Sequence, residues 1–333
     1  MKRVNDVCRW SVALLGLLWM WGGLIGVAPV RAQTDSAACS SGSSEAPGWR
    51  DLSLVSGGEE RRYQLYVPTG YDGTTPLPVV LSMHGFSSNP QQQRDFSRWD
   101  VYAEQETFLA VFPRGTGFPL RWNAGAFFDA RSGALGSAFM GAQVDDVLFF
   151  GDLLDELAAA LCIDAARIYA TGLSNGGGMS NRLACEMADR ITAIGTVAGA
   201  YPALDGGCAP ARPVPVISFH GVVDPIVPYQ GSEEMRLPSI ETWAREWSER
   251  NGCTDTAITH LAIPSGIVAD APTITQHSGC DGDVEVVLYM IPDGGHTWPG
   301  AAPSFDLLIG KTRQDFDATA IMWAFFQRFA LNS

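Results

Sequence analysis

Short apolar runs alternate with segments of helical periodicity along most of the chain, and this alternation restricts the possible folds more than any other feature. Six runs rich in β-branched or aromatic residues predict strands at Pro78–Met83, Phe108–Phe112, Arg167–Thr171, Ala193–Val197, Val214–Phe219 and Val284–Tyr289. Apolar side chains recur at helical spacing over Val144–Leu161, Asn175–Asp189 and Phe316–Leu331. Strands that alternate with helices are typical of a mostly parallel sheet covered by helices. The sequence therefore predicts an α/β fold from Asp51 onward.

The size and composition of this region fit one large domain. The chain has 333 residues, of which 46% are hydrophobic and 17% charged, so it can bury a sizeable core and lacks the composition of a disordered chain. We find no internal repeat and no second linker, and we expect a single domain over residues 51–333. Residues 33–50 are rich in Ser, Ala and Gly without periodicity and predict a flexible leader.

The first 32 residues have the pattern of a secretory signal. Basic side chains at positions 2, 3 and 9 precede an apolar run over Trp10–Ala28, and the small residues Val30 and Ala32 stand where a signal peptidase would cut. The run is long enough to span a bilayer, so a membrane anchor is the alternative. Glycines and Pro29 interrupt the run, which favours cleavage after residue 32. We therefore expect a secreted protein, extracellular or periplasmic, with no stable membrane insertion once the signal is removed.

Six cysteines follow this segment, and an even number in an exported protein predicts disulfide bonds. Many pairings are possible, and spacing along the chain favours Cys253 with Cys280 and Cys185 with Cys208, which leaves Cys39 for Cys162. None of them stands in a C-x-x-C pair, so a zinc site at these cysteines is disfavoured.

The acidic balance of the chain limits its partners. The formal charge is -14, and removal of residues 1–32, which carry four basic residues and one acidic residue, makes the remainder more negative by three. Phosphate backbones and anionic lipid surfaces need clustered positive charge. We therefore expect neither nucleic acid nor an acidic membrane surface as a partner.

Ser174 is the candidate nucleophile because it lies in a G-x-S-x-G pattern over residues 172–176. The pattern directly follows the predicted strand Arg167–Thr171 and directly precedes a predicted helix, which is the strand-turn-helix context of a nucleophile elbow. A sharp turn there would expose the hydroxyl of Ser174, and Cβ atoms at Gly172 and Gly176 would collide with neighbouring backbone. The alternative is a glycine-rich turn with no chemical role.

A serine hydroxyl needs a general base, and four histidines follow Ser174 in the chain. His296 is favoured because it lies in a loop rich in Gly and Pro after the last predicted strand, as the order Ser, acid, His requires. His220 at the end of a strand is better interpreted as a core or loop-orienting residue. His260 and His277 flank an inserted segment and would face each other in a hairpin, but no carboxylate lies between them to complete a metal site.

The acid that orients the base is expected between the strand Val214–Phe219 and His296. Asp224 precedes Pro225, which ends regular structure and fixes the backbone beyond the carboxylate. Its carboxylate would accept a hydrogen bond from the ring of His296 and stabilise the imidazolium. Asp293 is the competitor, but its place before two glycines is typical of a turn residue.

The segment Met83-His84-Gly85-Phe86 follows the first strongly apolar strand. In α/β hydrolases with the chain order Ser, acid, His, the loop at this place supplies a main-chain N–H to the oxyanion. We expect the backbone N–H groups of Phe86 and Asn175 to form the oxyanion hole. His84 is then a structural residue that holds the loop.

Taken together, these motifs resemble those of a known family. They are Tyr63–Pro68, Met83–Gly85, Arg121-Trp122-Asn123, Val144–Val147, Gly172–Gly177, His220–Pro225 and Gly295–Gly300. From about Ser53 to the C-terminus the chain resembles secreted esterases of the polyhydroxybutyrate depolymerase and feruloyl esterase type, related to carbohydrate esterase family 1. The resemblance implies an α/β-hydrolase fold, Ser174, Asp224 and His296 as the triad, no metal or cofactor, and hydrolysis of esters outside the cell.

One departure affects the substrate. Residues 124–143 contain no Cys, whereas relatives often carry a Cys pair shortly after the Trp-Asn motif, so the loop beside the acyl group is shaped differently. We expect a neutral ester as substrate, either an aromatic ester on plant polysaccharide or a polyester oligomer, and the sequence leaves the acyl group and the oligomeric state open. Trp122 and Trp298 are candidates for a substrate platform, with core packing as the alternative.

Two other functional classes remain open at the level of sequence. A secreted serine peptidase would use the same three side chains on peptide substrates. A non-catalytic surface-binding protein would keep the fold and would not react with reagents for active serines.

Overall fold

The computed structural model describes residues 37–42, 45–125, 144–263, 270–303 and 305–331. The chain divides after Ala32, and these ranges all belong to the unit Gln33–Ser333. The expected secretory signal and residues 126–143 of the loop that lacks the Cys pair lie outside the described residues. No helix in these ranges combines the length and the apolar character needed to cross a bilayer.

Ten strands in the described ranges form one sheet. They are β1 (Gly48–Ser56), β2 (Glu59–Val67), β3 (Leu77–Met83), β4 (Leu109–Pro113), β5 (Ile163–Leu173), β6 (Ala193–Val197), β7 (Val216–Gly221), β8 (Asp255–His260), β9 (Thr273–Ser278) and β10 (Val286–Ile291). Their order across the sheet is β1-β2-β4-β3-β5-β6-β7-β10-β9-β8. The six strands from β4 to β10 in this order are parallel, and antiparallel hairpins extend both sides.

The parallel centre is made by the six predicted strands, so the expected α/β-hydrolase type of fold is confirmed. These strands are apolar on both faces because helices cover both faces of a parallel sheet. The antiparallel strands β1, β2, β8 and β9 were not among the predicted strands. Their side chains are polar or exposed at many positions, and β8 is exposed along its whole length, so they lack the apolar runs that marked the others.

Eight α-helices are seen in the described ranges. They are α1 (Ala37–Ser41), α2 (Pro90–Ser97), α3 (Trp99–Glu106), α4 (Asp146–Ala160), α5 (Asn175–Glu186), α6 (Ile240–Arg250), α7 (Asp306–Ile309) and α8 (Ala318–Phe326). Side chains of α4, α5 and α6 enter one large core cluster, and those of α3 and α8 enter a second. Val79 and Leu81 of β3 belong to the first cluster and Val80 to the second, so the sheet separates two cores.

Local capping explains where several helices begin. The side chain of Asn89 accepts a hydrogen bond from the backbone N–H of Gln92, and Pro90 occupies the first helical position of α2. Asp145 caps α4 through the N–H of Leu148 in the same way. Helical periodicity predicted α4, α5 and α8, whereas the other five helices were not predicted.

Three disulfide bonds tie the chain together, and they are the pairs that the spacing favoured. Cys39 bonds to Cys162, Cys185 to Cys208 and Cys253 to Cys280. The first pair attaches α1 to the start of β5. Within the range 33–50, for which a flexible leader is predicted, α1 is bonded to the domain through Cys39 and β1 begins at Gly48.

Candidate active site

Ser174 lies at the sharp turn between β5 and α5. Its backbone has φ 57° and ψ -119°, a conformation that non-glycine residues rarely adopt. Its N–H donates to the carbonyl of Val197 on the neighbouring strand, 3.0 Å away, which helps hold the turn. The turn occurs at the carboxyl edge of the parallel strands, where ligands of open α/β sheets bind.

Two glycines make this turn possible because main-chain atoms pass close to them. A Cβ at Gly172 would lie 2.4 Å from the carbonyl carbon of Gly176. A Cβ at Gly176 would lie 2.2 Å from the carbonyl oxygen of Met83 and 2.7 Å from that of His84. The expected steric role of the two glycines is thus seen directly, and the turn packs onto the end of β3.

His296 and Asp224 are joined by a hydrogen bond. Nδ1 of His296 is 2.8 Å from Oδ2 of Asp224, and both side chains are nearly or wholly buried. The other carboxylate oxygen of Asp224 accepts the backbone N–H groups of Ile226 and Val227, each at 2.8 Å. The carboxylate is held in one orientation, and a proton on Nδ1 leaves Nε2 of His296 as the basic nitrogen.

Asp293, the competing acid, is engaged elsewhere. It accepts hydrogen bonds from Nζ of Lys311 at 2.5 Å and from the guanidinium of Arg313 at 2.6 Å. The segment from Ile309 to Lys311 also holds the loop that carries His296. The N–H of Gly295 donates to the carbonyl of Lys311, and the N–H of His296 donates to the carbonyl of Ile309.

The other histidines after Ser174 have different surroundings. Nε2 of His220 lies 2.9 Å from the carbonyl of Val227, and burial lowers the pKa of His220 to about 4. His260 lies opposite Thr273 in the β8–β9 hairpin, whereas His277 pairs with Thr256 at the other end. The two histidines therefore do not face each other, and the described residues contain no cluster of side chains that could hold a metal ion.

The geometry gives a candidate oxyanion site next to Ser174. Asn175 begins α5, so its N–H is one of the helix's first donors and lies at the positive end of the helix dipole. Gly85 packs against the turn, since a Cβ there would lie 3.4 Å from Cβ of Ser174. Within the described ranges, the N–H groups of Phe86 and Asn175 donate to no other main-chain group. No hydrogen bond joins Ser174 Oγ to His296 in these ranges, and such bonds often tighten only when substrate binds.

A buried hydrogen-bond network connects this site to the loop after β3. The side-chain amide of Asn175 accepts the N–H of Trp122 at 2.7 Å and donates to the carbonyl of Trp122 at 3.1 Å. The indole N–H of Trp122 donates to the carbonyl of His84 at 2.9 Å. Sequence reasoning missed this network, although Asn175 and Trp122 both lie in motifs that it quoted.

His84 holds the same loop from the other side. Its Nε2 accepts the N–H of Gly115 at 3.0 Å, so the ring proton is on Nδ1, which donates to the carbonyl of Gly85 at 2.8 Å. Burial lowers the pKa of His84 from 6.5 to about 4. The ring therefore stays neutral at pH 7, as its acceptor role requires.

A buried ion pair fixes the segment around Trp122. The guanidinium of Arg61 donates to Asp146 at 2.6 Å, and the other carboxylate oxygen of Asp146 accepts the N–H of Asn123 at 2.7 Å. The guanidinium also lies 3.9 Å from the ring centre of Phe149. Since removal of one partner would leave a buried charge, this contact constrains the segment strongly.

The expectation that Trp122 and Trp298 form a substrate platform is not met. Each side chain is only 2% exposed, so neither presents a ring face to a ligand. Trp122 packs against His84 and Phe150, and the indole N–H of Trp298 donates to Thr319 in the second core cluster. Buried indoles with paired N–H groups are core residues, which was the alternative interpretation.

Large apolar side chains are instead exposed on the loops that carry the site. Phe86 is 53% exposed and Phe118 is 93% exposed. Further apolar groups are exposed at Val223 and Ile226 beside Asp224, and at Phe305, Leu307 and Leu308 in and next to α7. Val223 and Ile226 flank Asp224 in the chain, and Phe86 follows Gly85, which packs on the Ser174 turn. The N–H of Ser87 donates to the carbonyl of Leu120 at 2.8 Å, which joins the segments that carry Phe86 and Phe118.

Comparisons with known proteins agree with these features. A family model described as Esterase PHB depolymerase matches residues 61–209. Feruloyl esterase C of Emericella nidulans is 30% identical over 71% of this chain and 76% of its own length. Feruloyl esterase B of Piromyces equi is 29% identical over 71% of this chain, and the chain spans only 42% of that protein.

Among solved structures, the acetyl xylan esterase from Aspergillus awamori aligns with a TM-score of 0.54 over 75% of this chain and 94% of its own. Its sequence identity is 13%, so this likeness concerns the fold alone.

We predict that Gly176→Ala lowers the free energy of unfolding by about 2 kcal/mol or more, because the new Cβ would overlap main-chain atoms that cannot move independently. The control is Gly151→Ala in α4, where a Cβ meets no atom within 4 Å and helix propensity should raise stability by up to about 1 kcal/mol. Urea unfolding of both variants measures the difference. Wild-type stability of Gly176→Ala would contradict the packing described above.

We also predict a loss of stability between pH 7 and pH 5. The unfolded chain protonates its histidines near pH 6.5, whereas folded His84 and His220 stay neutral down to about pH 4. The unfolded state therefore binds more protons in this window, and each residue should cost about 2 kcal/mol of stability as the pH falls from 7 to 5.

Urea unfolding at both pH values tests this prediction. The difference between pH 7 and pH 5 should shrink in His84→Gln and stay unchanged in His260→Gln, the exposed control on β8. If the free energy of unfolding of His84→Gln changes between pH 7 and pH 5 as much as that of the wild type, His84 is already charged or exposed at pH 5.

Proposed function

Because the chain belongs to the family of polyhydroxybutyrate depolymerases and feruloyl esterases, we propose that it hydrolyses carboxylic esters with Ser174 as nucleophile, His296 as general base and Asp224 as the orienting acid. One observation carries the proposal. The hydrogen-bonded pair of Asp224 and His296 lies on loops at the same sheet edge as the strained turn of Ser174. A nucleophile, a base and an orienting group are the parts that acyl transfer requires.

In the first half of the reaction, Oγ of Ser174 attacks the ester carbonyl carbon and its proton passes to Nε2 of His296. Asp224 stabilises the imidazolium that forms, because its carboxylate accepts a hydrogen bond from the N–H group at Nδ1 while the proton stays on the ring. The N–H groups of Phe86 and Asn175 bind the oxyanion. The intermediate then collapses, the alcohol leaves with the proton from His296, and an acyl-enzyme remains.

In the second half, water replaces the alcohol. His296 removes a proton from the water, the hydroxide attacks the acyl carbonyl, and Ser174 leaves with that proton. The main-chain donors act again because the second tetrahedral intermediate carries its charge on the same oxygen. Removing one such donor typically costs about 10² to 10³ in rate, so the network that holds the loop has direct kinetic importance.

We propose an ester carried on a neutral polysaccharide as the first candidate substrate, hydrolysed outside the cytoplasm. The relatives are named feruloyl esterases, and the strongly negative formal charge disfavours polyanionic substrates. Three disulfides are typical of exported proteins and support this location.

Hydroxyalkanoate oligomers are the second candidate. The description of the matching family model names a PHB depolymerase, and the exposed apolar side chains beside the site would fit an aliphatic chain.

We expect a fluorophosphonate probe to label the protein and Ser174→Ala to abolish the labelling. The same variant and His296→Ala should lose p-nitrophenyl acetate hydrolysis by about 10⁴-fold or more, because neither half-reaction can proceed. Asp224→Asn should lower kcat by about 10⁴-fold, since the ring of His296 loses its preferred tautomer.

Ser278→Ala on β9 is the matched control and should keep full labelling. Labelling that survives in Ser174→Ala would refute the assignment.

A substrate panel then separates the candidates. We expect the highest kcat/KM on methyl ferulate, lower values on hydroxybutyrate trimer, and no cleavage of peptide substrates. The physical reason is that a planar aromatic acyl group can pack on the exposed rings of Phe86 and Phe118. Preference for the hydroxybutyrate trimer would select the second candidate, and peptide cleavage would select a peptidase.

A further inference from the structure

His220 is a buried histidine that the proposed reaction does not use, although it lies beside the acid. It stands near the end of β7, and its side chain is fully shielded from solvent. Its Nε2 is 2.9 Å from the carbonyl oxygen of Val227 and 3.5 Å from Oδ2 of Asp224. The same Oδ2 accepts the hydrogen bond from His296. One carboxylate oxygen therefore faces two imidazole rings.

The position of the proton on the His220 ring follows from these contacts. A carbonyl oxygen can only accept a hydrogen bond, so the proton is on Nε2 and points at Val227. Burial lowers the pKa of His220 to about 4, which keeps the ring neutral at pH 7. A neutral ring places the positive end of an N–H dipole near Oδ2 of Asp224 and adds no full charge beside His296.

His220 and Asp224 bond to the same residue, Val227, through its two main-chain polar groups. The N–H of Val227 donates to Oδ1 of Asp224 at 2.8 Å, and its carbonyl accepts from His220. These bonds connect the imidazole to the carboxylate through a single residue. Without the bond from His220, Val227 would be free to shift, and its N–H would no longer fix Oδ1.

The loop that carries His296 packs closely on the residue that follows His220. A Cβ at Gly221 would lie 2.0 Å from the carbonyl oxygen of Gly294, two residues before His296. Main-chain packing of this kind allows little movement, so it fixes the place of the two histidines relative to each other. The carboxylate of Asp224 is then the part of the pair whose orientation depends on the contacts of His220.

The other ring nitrogen indicates a role beyond packing. Nδ1 of His220 is buried and has no hydrogen-bond partner in the described part of the chain. An unpaired buried polar atom lowers stability, and an apolar side chain of similar size at this position would avoid that loss. Such a side chain cannot supply the contacts that Nε2 makes with Val227 and Asp224.

We propose that His220 is a positioning residue for the acid: by donating from Nε2 to Val227 and facing Oδ2, it holds the carboxylate of Asp224 in the orientation that His296 needs. His220 acts through Asp224 and takes no proton during the reaction. The inference rests on the proposed function for the role of the Asp224–His296 pair, but the hydrogen bond of that pair exists with or without turnover.

Three substitutions of His220 separate its two ring nitrogens. Gln places its amide nitrogen as far along the side chain as Nε2 of histidine, Asn places it as far as Nδ1, and Leu has no donor. We expect His220→Gln to keep kcat on p-nitrophenyl acetate within about fivefold. His220→Asn and His220→Leu should lower kcat about 10- to 100-fold and leave KM within about twofold, because the acid is misoriented while the substrate binds as before. His260→Leu on the exposed strand β8 is the matched control and should keep wild-type kcat.

A double-mutant cycle tests whether the effect passes through the acid. His220→Leu is measured in the wild-type protein and in Asp224→Asn. If His220 acts through Asp224, its replacement should change the residual kcat of Asp224→Asn by less than about threefold, because the orienting carboxylate is already gone. A merely structural role would lower kcat by the same factor in both backgrounds. Urea unfolding at pH 7 checks that the variants fold, and His220→Asn takes the place of His220→Leu if the latter does not.

A third measurement needs no turnover. In Ser174→Ala protein, proton NMR records the low-field signal of the Nδ1–H of His296 in its hydrogen bond to Asp224. We expect the signal to remain when His220→Gln is added. We expect His220→Leu to weaken it, because a carboxylate that is free to rotate lets water exchange the proton.

The outcomes separate this inference from the proposed function. If His220→Leu keeps both wild-type kcat and the signal of His296, His220 is a core residue only, and the inference fails while the reaction stands. Equal losses of kcat in both backgrounds of the cycle would also refute it. If no ester is hydrolysed and no probe labels Ser174 while the signal of His296 still depends on His220, the proposed function fails and the positioning role stands.

Discussion

The close packing of the Ser174 turn against the end of β3 is the contact on which the rest of the site depends. Gly176 approaches the main chain of Met83 and His84 so closely that no Cβ fits between them. This contact sets the distance between the turn that carries Ser174 and the loop that carries Phe86. A strained serine conformation can persist there only because β5, β3 and α5 are fixed by the two cores on either side of the sheet.

Hydrogen bonds between buried polar groups then restrict the motion of the loops around the site. Asn175 clamps the backbone of Trp122, the indole of Trp122 holds the carbonyl of His84, and neutral His84 accepts from Gly115. Asp224 is held by two main-chain N–H groups as well as by His296. In a site that excludes water, such preorganised donors stabilise developing charge without reorganising during the reaction. The network around Trp122 depends on an uncharged His84, because a protonated ring could not accept the N–H of Gly115, so the geometry of the loop depends on pH.

Much of the parallel sheet and of the chemistry could be predicted because the signals are local. Six apolar runs mark six buried strands, and a glycine on each side of Leu173-Ser174-Asn175 marks a turn that no larger residue allows. The outer strands β1 and β8 could not be predicted in this way, since one or both faces are polar. The tryptophans were ambiguous for a different reason. Trp122 and Trp298 stand beside motif residues in sequence, but only their neighbours in space, Phe150 and Thr319, bury them.

The sequence by itself determined the fold class, the serine turn, and the order of Ser174, Asp224 and His296, because periodicity, glycine sterics and chain order are local properties. Its spacing also favoured the disulfide pairs that the structure contains. Only the tertiary structure decided that Asp224 and not Asp293 bonds to His296, and that Asn175 and Trp122 brace the site. These are contacts between residues far apart in the chain, and the packing of strands and loops at the carboxyl edge of the sheet brings them within bonding distance.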